Sequence, residues 1–244
     1  MGKLVSIHEE WNMSAKKSKM AAMATAATAA LAVESRAAQA AAVDDLIAKI
    51  RDKNDTVRAE AMFGAGKVGA PAVKPLADVV ATDKDFEIAR AARRAMWQIA
   101  RYVGRPGAGD EKKATVAELM PLVADSRPVA VRREVLWMLS ELAGDEAVEP
   151  VAAILKDKEL REDARMVLQR LPGEKSLAAL KAGLAAAPDD FKINIAESLR
   201  ARGVEVPGLP DEKRKPTRQT NMKPLDEKQL EEAVKSSKGK GKKR

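Results

Sequence analysis

The chain has 244 residues, with 44 Lys and Arg against 36 Asp and Glu, a net charge of +8, no cysteine, and a single histidine, His8. Those counts exclude disulfides, thiolate metal sites and cysteine nucleophiles. Charged residues make up 33% and aromatic residues only 3%, and no alternating β-branched or aromatic run lies between turn residues, so the chain reads as all-α.

The excess positive charge belongs to the two ends. Residues 43–210 carry 27 basic and 27 acidic side chains, whereas residues 211–244 carry 12 and 6 and residues 1–42 carry 5 and 3. A basic groove running along the body is therefore not expected.

Taken in chain order, residues 1–42 form an N-terminal segment with two readings. Met20 to Val33 is uncharged, follows Lys16, Lys17 and Lys19, and leads into the small-residue pattern Ala38-Gln39-Ala40. That order is the order of a secretory leader and implies an extracytoplasmic, periplasmic location. Glu34, Arg36 and the long opening before Met20 weigh against it. The other reading is an Ala-rich helix that runs into the body and caps its open end, in a cytoplasmic protein. The uncharged run is too short to span a bilayer, so no transmembrane anchor is expected.

Residues 43–205 repeat one pattern about five times: an apolar helix, a short charged break, and a second apolar helix ending near Gly or Pro. The units start at Val43, Val73, Val116, Val148 and Leu177. Their breaks are Lys53-Asn54-Asp55, Thr82 to Asp85, Asp125 to Pro128, Lys156-Asp157-Lys158 and Pro188-Asp189-Asp190, rich in residues that turn the chain and cap helices. A loop over Gly104 to Gly109 accounts for the one long spacing, between Val73 and Val116. Repeats of this length predict an α-solenoid, in which each helical hairpin buries its apolar side on its neighbours. Beyond Gly203, residues 206–244 read as a linker broken by Pro207, Pro210, Pro216 and Pro224, a short helix over 227–234, and a flexible basic tail.

The unit pattern resembles HEAT repeats, and most closely the short bacterial type called PBS-lyase HEAT-like repeats. Asp55-Thr56-Val57-Arg58 before an apolar helix carries the resemblance, with Arg93 and Arg132-Arg133 at related places. The resemblance covers residues 43–205 and implies a right-handed α-α superhelix whose second helices line the concave side. It also implies that Asp55 and Arg58 are structural and tie neighbouring units together. The last two units depart from it: Arg161 and Arg165 are offset, and Lys192 stands near the expected Arg. Some members of that family are lyase subunits for bilin attachment. Nothing in this chain matches a bilin site, so a lyase-like accessory role rests on analogy alone.

No phosphate loop, Ser/His/Asp or Cys/His set or metal-ligand spacing is present. Asp44-Asp45 and Asp189-Asp190 sit at helix starts, where capping and the helix dipole account for them. The chain is thus read as non-enzymatic, with no cofactor. The best surface candidate is a stripe on the second helix of unit two, Arg90, Arg94, Trp97, Arg101 and Arg105, with Trp137 matching Trp97 one unit on. These indoles either anchor a peptide or a stacked base, or fill the seams between units. A second candidate, for polyanions, is the tail: Lys235, Lys238, Lys240, Lys242, Lys243 and Arg244. The expected function is a scaffold holding a protein or peptide on the concave face. The rival is a nucleic-acid-binding solenoid, similar in size and layout to the HEAT-like alkylpurine DNA glycosylases.

Overall fold

The computed structural model describes residues 33–124 and 126–211. The Met20–Ala32 part of the leader-or-cap segment, the expected helix over 227–234 and the basic tail lie outside the described residues. The chain divides into two units, Met1–Leu209 and Pro210–Arg244, and every described helix belongs to the first.

Among the described residues all regular structure is helical. Helix α1 covers residues 33–50 and crosses residue 42 without a break. It is followed by α2 (Asp55–Val68), α3 (Val73–Thr82), α4 (Phe86–Val103), α5 (Gly109–Ala124) and α6 (Val129–Leu142). Then come α7 (Val148–Ile154), α8 (Arg161–Arg170), α9 (Glu174–Ala186) and α10 (Asp189–Ala201). Helix α3 packs on α4, α5 on α6, α7 on α8 and α9 on α10. Even-numbered helices also pack on one another in chain order, from α2 to α10, and among odd-numbered helices α3 packs on α5 and α7 on α9.

The buried faces are largely apolar, with alanine prominent in α4. Helix α4 buries Ala91, Ala92, Ala95, Met96, Ile99, Ala100 and Val103, and α6 buries Val131, Val135, Leu136, Met138, Leu139 and Leu142. This i, i+3, i+4 spacing is the stripe of a helix with one wet side. Alanine contributes little area per residue, so the helices gain by close approach, and larger side chains such as Leu76, Leu119, Leu168 and Phe191 fill the space between them.

Three of the turns inside the hairpins share one hydrogen bond. Asp52, Asp83 and Asp157 each accept, on a side-chain oxygen, the backbone N–H two residues on, at 2.8, 3.1 and 3.0 Å. In the first two turns the next side chain caps the second helix, Asn54 accepting from the Thr56 N–H and Asp85 from the Glu87 N–H. The connections between hairpins repeat as well. A single 3-10 turn, Ala70–Ala72 before α3 and Asp145–Ala147 before α7, follows Gly69 and Gly144.

Helix α5 departs from the expected boundaries. It begins at Gly109, so the long spacing of this unit comes from added helix as well as from a loop. Pro75 and Pro150 sit in the first turn of their helices, where the missing N–H has no partner to lose. Pro121 instead lies inside α5, where the helix has already run for three turns.

Asp55 and Arg58 also correct an expectation. Arg58 pairs with Asp55 of its own helix and donates to the Asp52 carbonyl at 2.6 Å, so it braces the start of α2 and, among the described residues, makes no hydrogen bond or ion pair to a neighbouring hairpin. Other arginines make those ties at the turns: Arg51 to Asp83 (3.3 Å), Arg127 to Asp78 (2.5 Å), Arg132 to Asp157 (3.5 Å) and Arg161 to Asp190 (2.5 Å).

Candidate functional site: the seams of the second helices

The even-numbered helices meet along seams that carry a repeated polar bridge. Arg93 and Trp97 lie one turn apart on α4, and both donate to Glu134 on α6, at 3.3 and 2.8 Å. Forty residues on, Arg133 and Trp137 of α6 do the same to Asp163 of α8, at 2.9 and 2.8 Å. At the next seam Asn194 of α10 donates to Glu162 of α8, with the polarity reversed. Three successive seams are therefore closed by a charged or polar rung at one level.

The rungs satisfy groups that would be costly to leave alone. Asp163 is only 9% exposed, and a buried carboxylate is tolerable when a cation and an N–H donor both face it. Each indole lays its ring over the seam while its N–H is held by the following helix. Trp97 is half-buried, packed against the core, and Trp137 keeps 40% of its surface. Both rings thus lie in the seams and also show a face to solvent.

The remaining arginines of the stripe separate into two kinds. Arg94 and Arg101 are exposed and make no ion pair among the described residues, and the Arg101 guanidinium stands 5.8 Å from the centre of the Trp97 ring. Arg90 pairs with Glu87 at 2.5 Å. With Arg58 and Arg94 it lines a cleft of about 170 Å³ between α2 and α4, floored by Met62 and Ala91. Arg105 leaves the stripe because α4 ends at Val103. It forks onto Glu111 at 3.0 and 2.6 Å and covers the Tyr102 ring at 3.9 Å. Its hydrogen bond, with its charge, holds the Glu111 carboxyl below the ordinary carboxylate range.

The carboxylates Glu134 and Asp163 were not singled out from the sequence. Their spacings from the Trp residues differ, 37 and 26 positions, so no fixed offset marks them. The equal placing of Arg93-Trp97 and Arg133-Trp137 was the available signal. The tail residues Lys235, Lys238, Lys240, Lys242, Lys243 and Arg244 lie outside the described residues. Among the described residues no cluster of three or more His, Cys, Asp or Glu is arranged to hold a metal ion, and no helix is long and apolar enough to cross a membrane.

Compared with known proteins, the chain matches no family model and no curated protein.

Proposed function

We propose that residues 43–205 form a right-handed HEAT-like α-solenoid that acts as a non-enzymatic scaffold, binding a protein or peptide across its second helices. Support for the array comes from the repeated Asp turns and from the even-numbered helices, each packed on the next. The observation that carries the binding reading is Arg94 and Arg101, exposed and without an ion pair among the described residues, beside the indoles that cross two consecutive seams. Exposed cations with no carboxylate partner among the described residues are available to carboxylates of a peptide, and half-exposed Trp rings offer rigid apolar area at little cost in side-chain entropy.

The second reading, nucleic-acid binding, draws on the same arginines and on the basic tail. The balanced charge of residues 43–210 favours the protein partner, since phosphate neutralisation needs a net positive track. Affinity purification with mass spectrometry separates the two when run with and without nuclease, using the wild-type chain and an Arg94→Glu, Arg101→Glu variant as baits. The expected result is a protein partner that survives nuclease and is lost from the variant, whose melting temperature stays that of the wild type. Material that disappears with nuclease transfers the function to nucleic acid. Identical captures on both baits remove this face from the function.

A further inference from the structure

On the odd-numbered helices, away from the Trp seams, lies a groove of about 510 Å³ between α7, α9 and the start of α10. Its walls are Ala152 and Leu155 of α7 and Ala179, Ala182, Gly183 and Ala186 of α9, and its floor includes Phe191 and Ile195. The lining is mostly alanine, leucine and isoleucine with Phe191, so these walls present mainly methyl and methylene groups. Gly183 lets the Leu155 side chain approach α9 closely. A Cβ there would stand 2.6 Å from a Leu155 methyl.

Charge is confined to one stretch of chain. Lys156, Lys158 and Arg161, from the turn between α7 and α8, supply the basic lining. Arg161 is committed, paired with Asp190 at 2.5 Å and stacked 4.7 Å from the Phe191 ring. Lys156 and Lys158 are exposed and have no carboxylate partner among the described residues. The groove thus combines a hydrocarbon interior with two unspent positive charges gathered at the turn.

We infer that this groove binds a single-chain aliphatic carboxylate, with the alkyl chain along α9 and the carboxylate against Lys156 and Lys158. A volume of this size lies within the range of small-molecule sites. An occupant whose body makes no hydrogen bonds loses nothing on leaving water, while its one anionic group meets the only uncommitted cations in the lining. The inference rests on elements that the scaffold reading does not use, so either stands without the other.

Titration of the purified full chain with octanoate, decanoate and dodecanoate, followed by calorimetry below micellar concentrations, tests it. Affinity is expected to rise about fourfold per added methylene, as burial of a CH2 group dictates. Dodecylamine, with the same tail and the opposite head charge, is expected to bind at least tenfold more weakly than dodecanoate. A Lys156→Glu, Lys158→Glu variant should lose that preference, and both side chains are solvated enough for the fold to be unaffected. Ala182→Trp, placed on an exposed position of α9, should block both ligands. Affinity that is flat with chain length, equal binding of the amine, or no effect of either variant overturns the proposal. So does a Leu-faced, Glu-bearing helical peptide that displaces dodecanoate and binds more tightly, which would assign the groove to a protein partner.

Discussion

Asp78 answers to opposing forces. Burial pushes its carboxyl up, and Arg127 at 2.5 Å, with Lys74 at 3.4 Å, overcomes that push by hydrogen bonding and charge, so it sits below its ordinary value of 3.8. A carboxylate depressed on folding contributes stability that is complete above its unfolded pKa and is lost as pH falls through the folded value. Acid below about pH 3.8 is therefore expected to loosen the tie between α3 and the turn before α6. Arg127→Ala should move the Asp78 titration upward, and the variant should lose less stability than wild type over that acid range. Carbon-detected NMR of the carboxyl and denaturant melts at several pH values check the two halves. An unmoved titration would show that Arg127 contributes nothing to the shift. At this scale the sequence was partly readable. Trp97 and Trp137 could be matched because Arg93 and Arg133 precede both by one turn. Arg105 was misplaced because a helical wheel continues past Val103, whereas the chain does not.

Prolines give the element scale its clearest contrast. Three odd-numbered helices carry one, Pro75 and Pro150 in a first turn and Pro121 deep inside a helix that extends upstream to Gly109. An interior proline removes a backbone hydrogen bond and crowds the preceding turn, at about 3 kcal/mol in an unconstrained helix. Pro121→Ala is expected to stabilise the protein by roughly 1–3 kcal/mol. Pro75→Ala and Pro150→Ala, in first turns, should change stability by less than about 0.5 kcal/mol, as at a site where no bond is lost. Urea melts of the three variants make the comparison, and equal effects would mean that α5 has already adapted to its proline. The helices themselves were legible because apolar spacing and Asp-rich breaks mark them. The start of α5 was not, because Gly107 and Gly109 read as loop while the charged run Asp110 to Lys113 shows no apolar period. Val116 packs into the core at the end of that extra stretch, and Thr115 is buried beside it.

At the scale of the whole described unit, stability is spread over neighbours. Helix α8 packs on α6, α7, α9 and α10, and its Leu168 is fully buried. Truncating such a leucine to alanine costs about 2–5 kcal/mol, because the space left behind is not refilled. In an array of near-neighbour contacts that loss stays close to where it is made. Leu168→Ala is therefore expected to speed amide exchange in α6 to α10 and to leave α2 to α4 unchanged, as measured by hydrogen exchange with mass spectrometry. Uniform acceleration along the chain would mean a single cooperative core. The helical class could be read from the sequence through the recurrence of one unit. The side-chain rungs across the seams could not, since they join residues whose separations vary with every insertion.

The three equivalent aspartate turns have a further use. A splice from just after Asp52 to just after Asp83 would remove one α2–α3 stretch and rejoin ends that already share the same local hydrogen bond. The reverse operation would insert a copy. Under the proposed solenoid reading the chain would grow or shrink by whole cassettes without inventing a new corner, and its reach would become a matter of copy number.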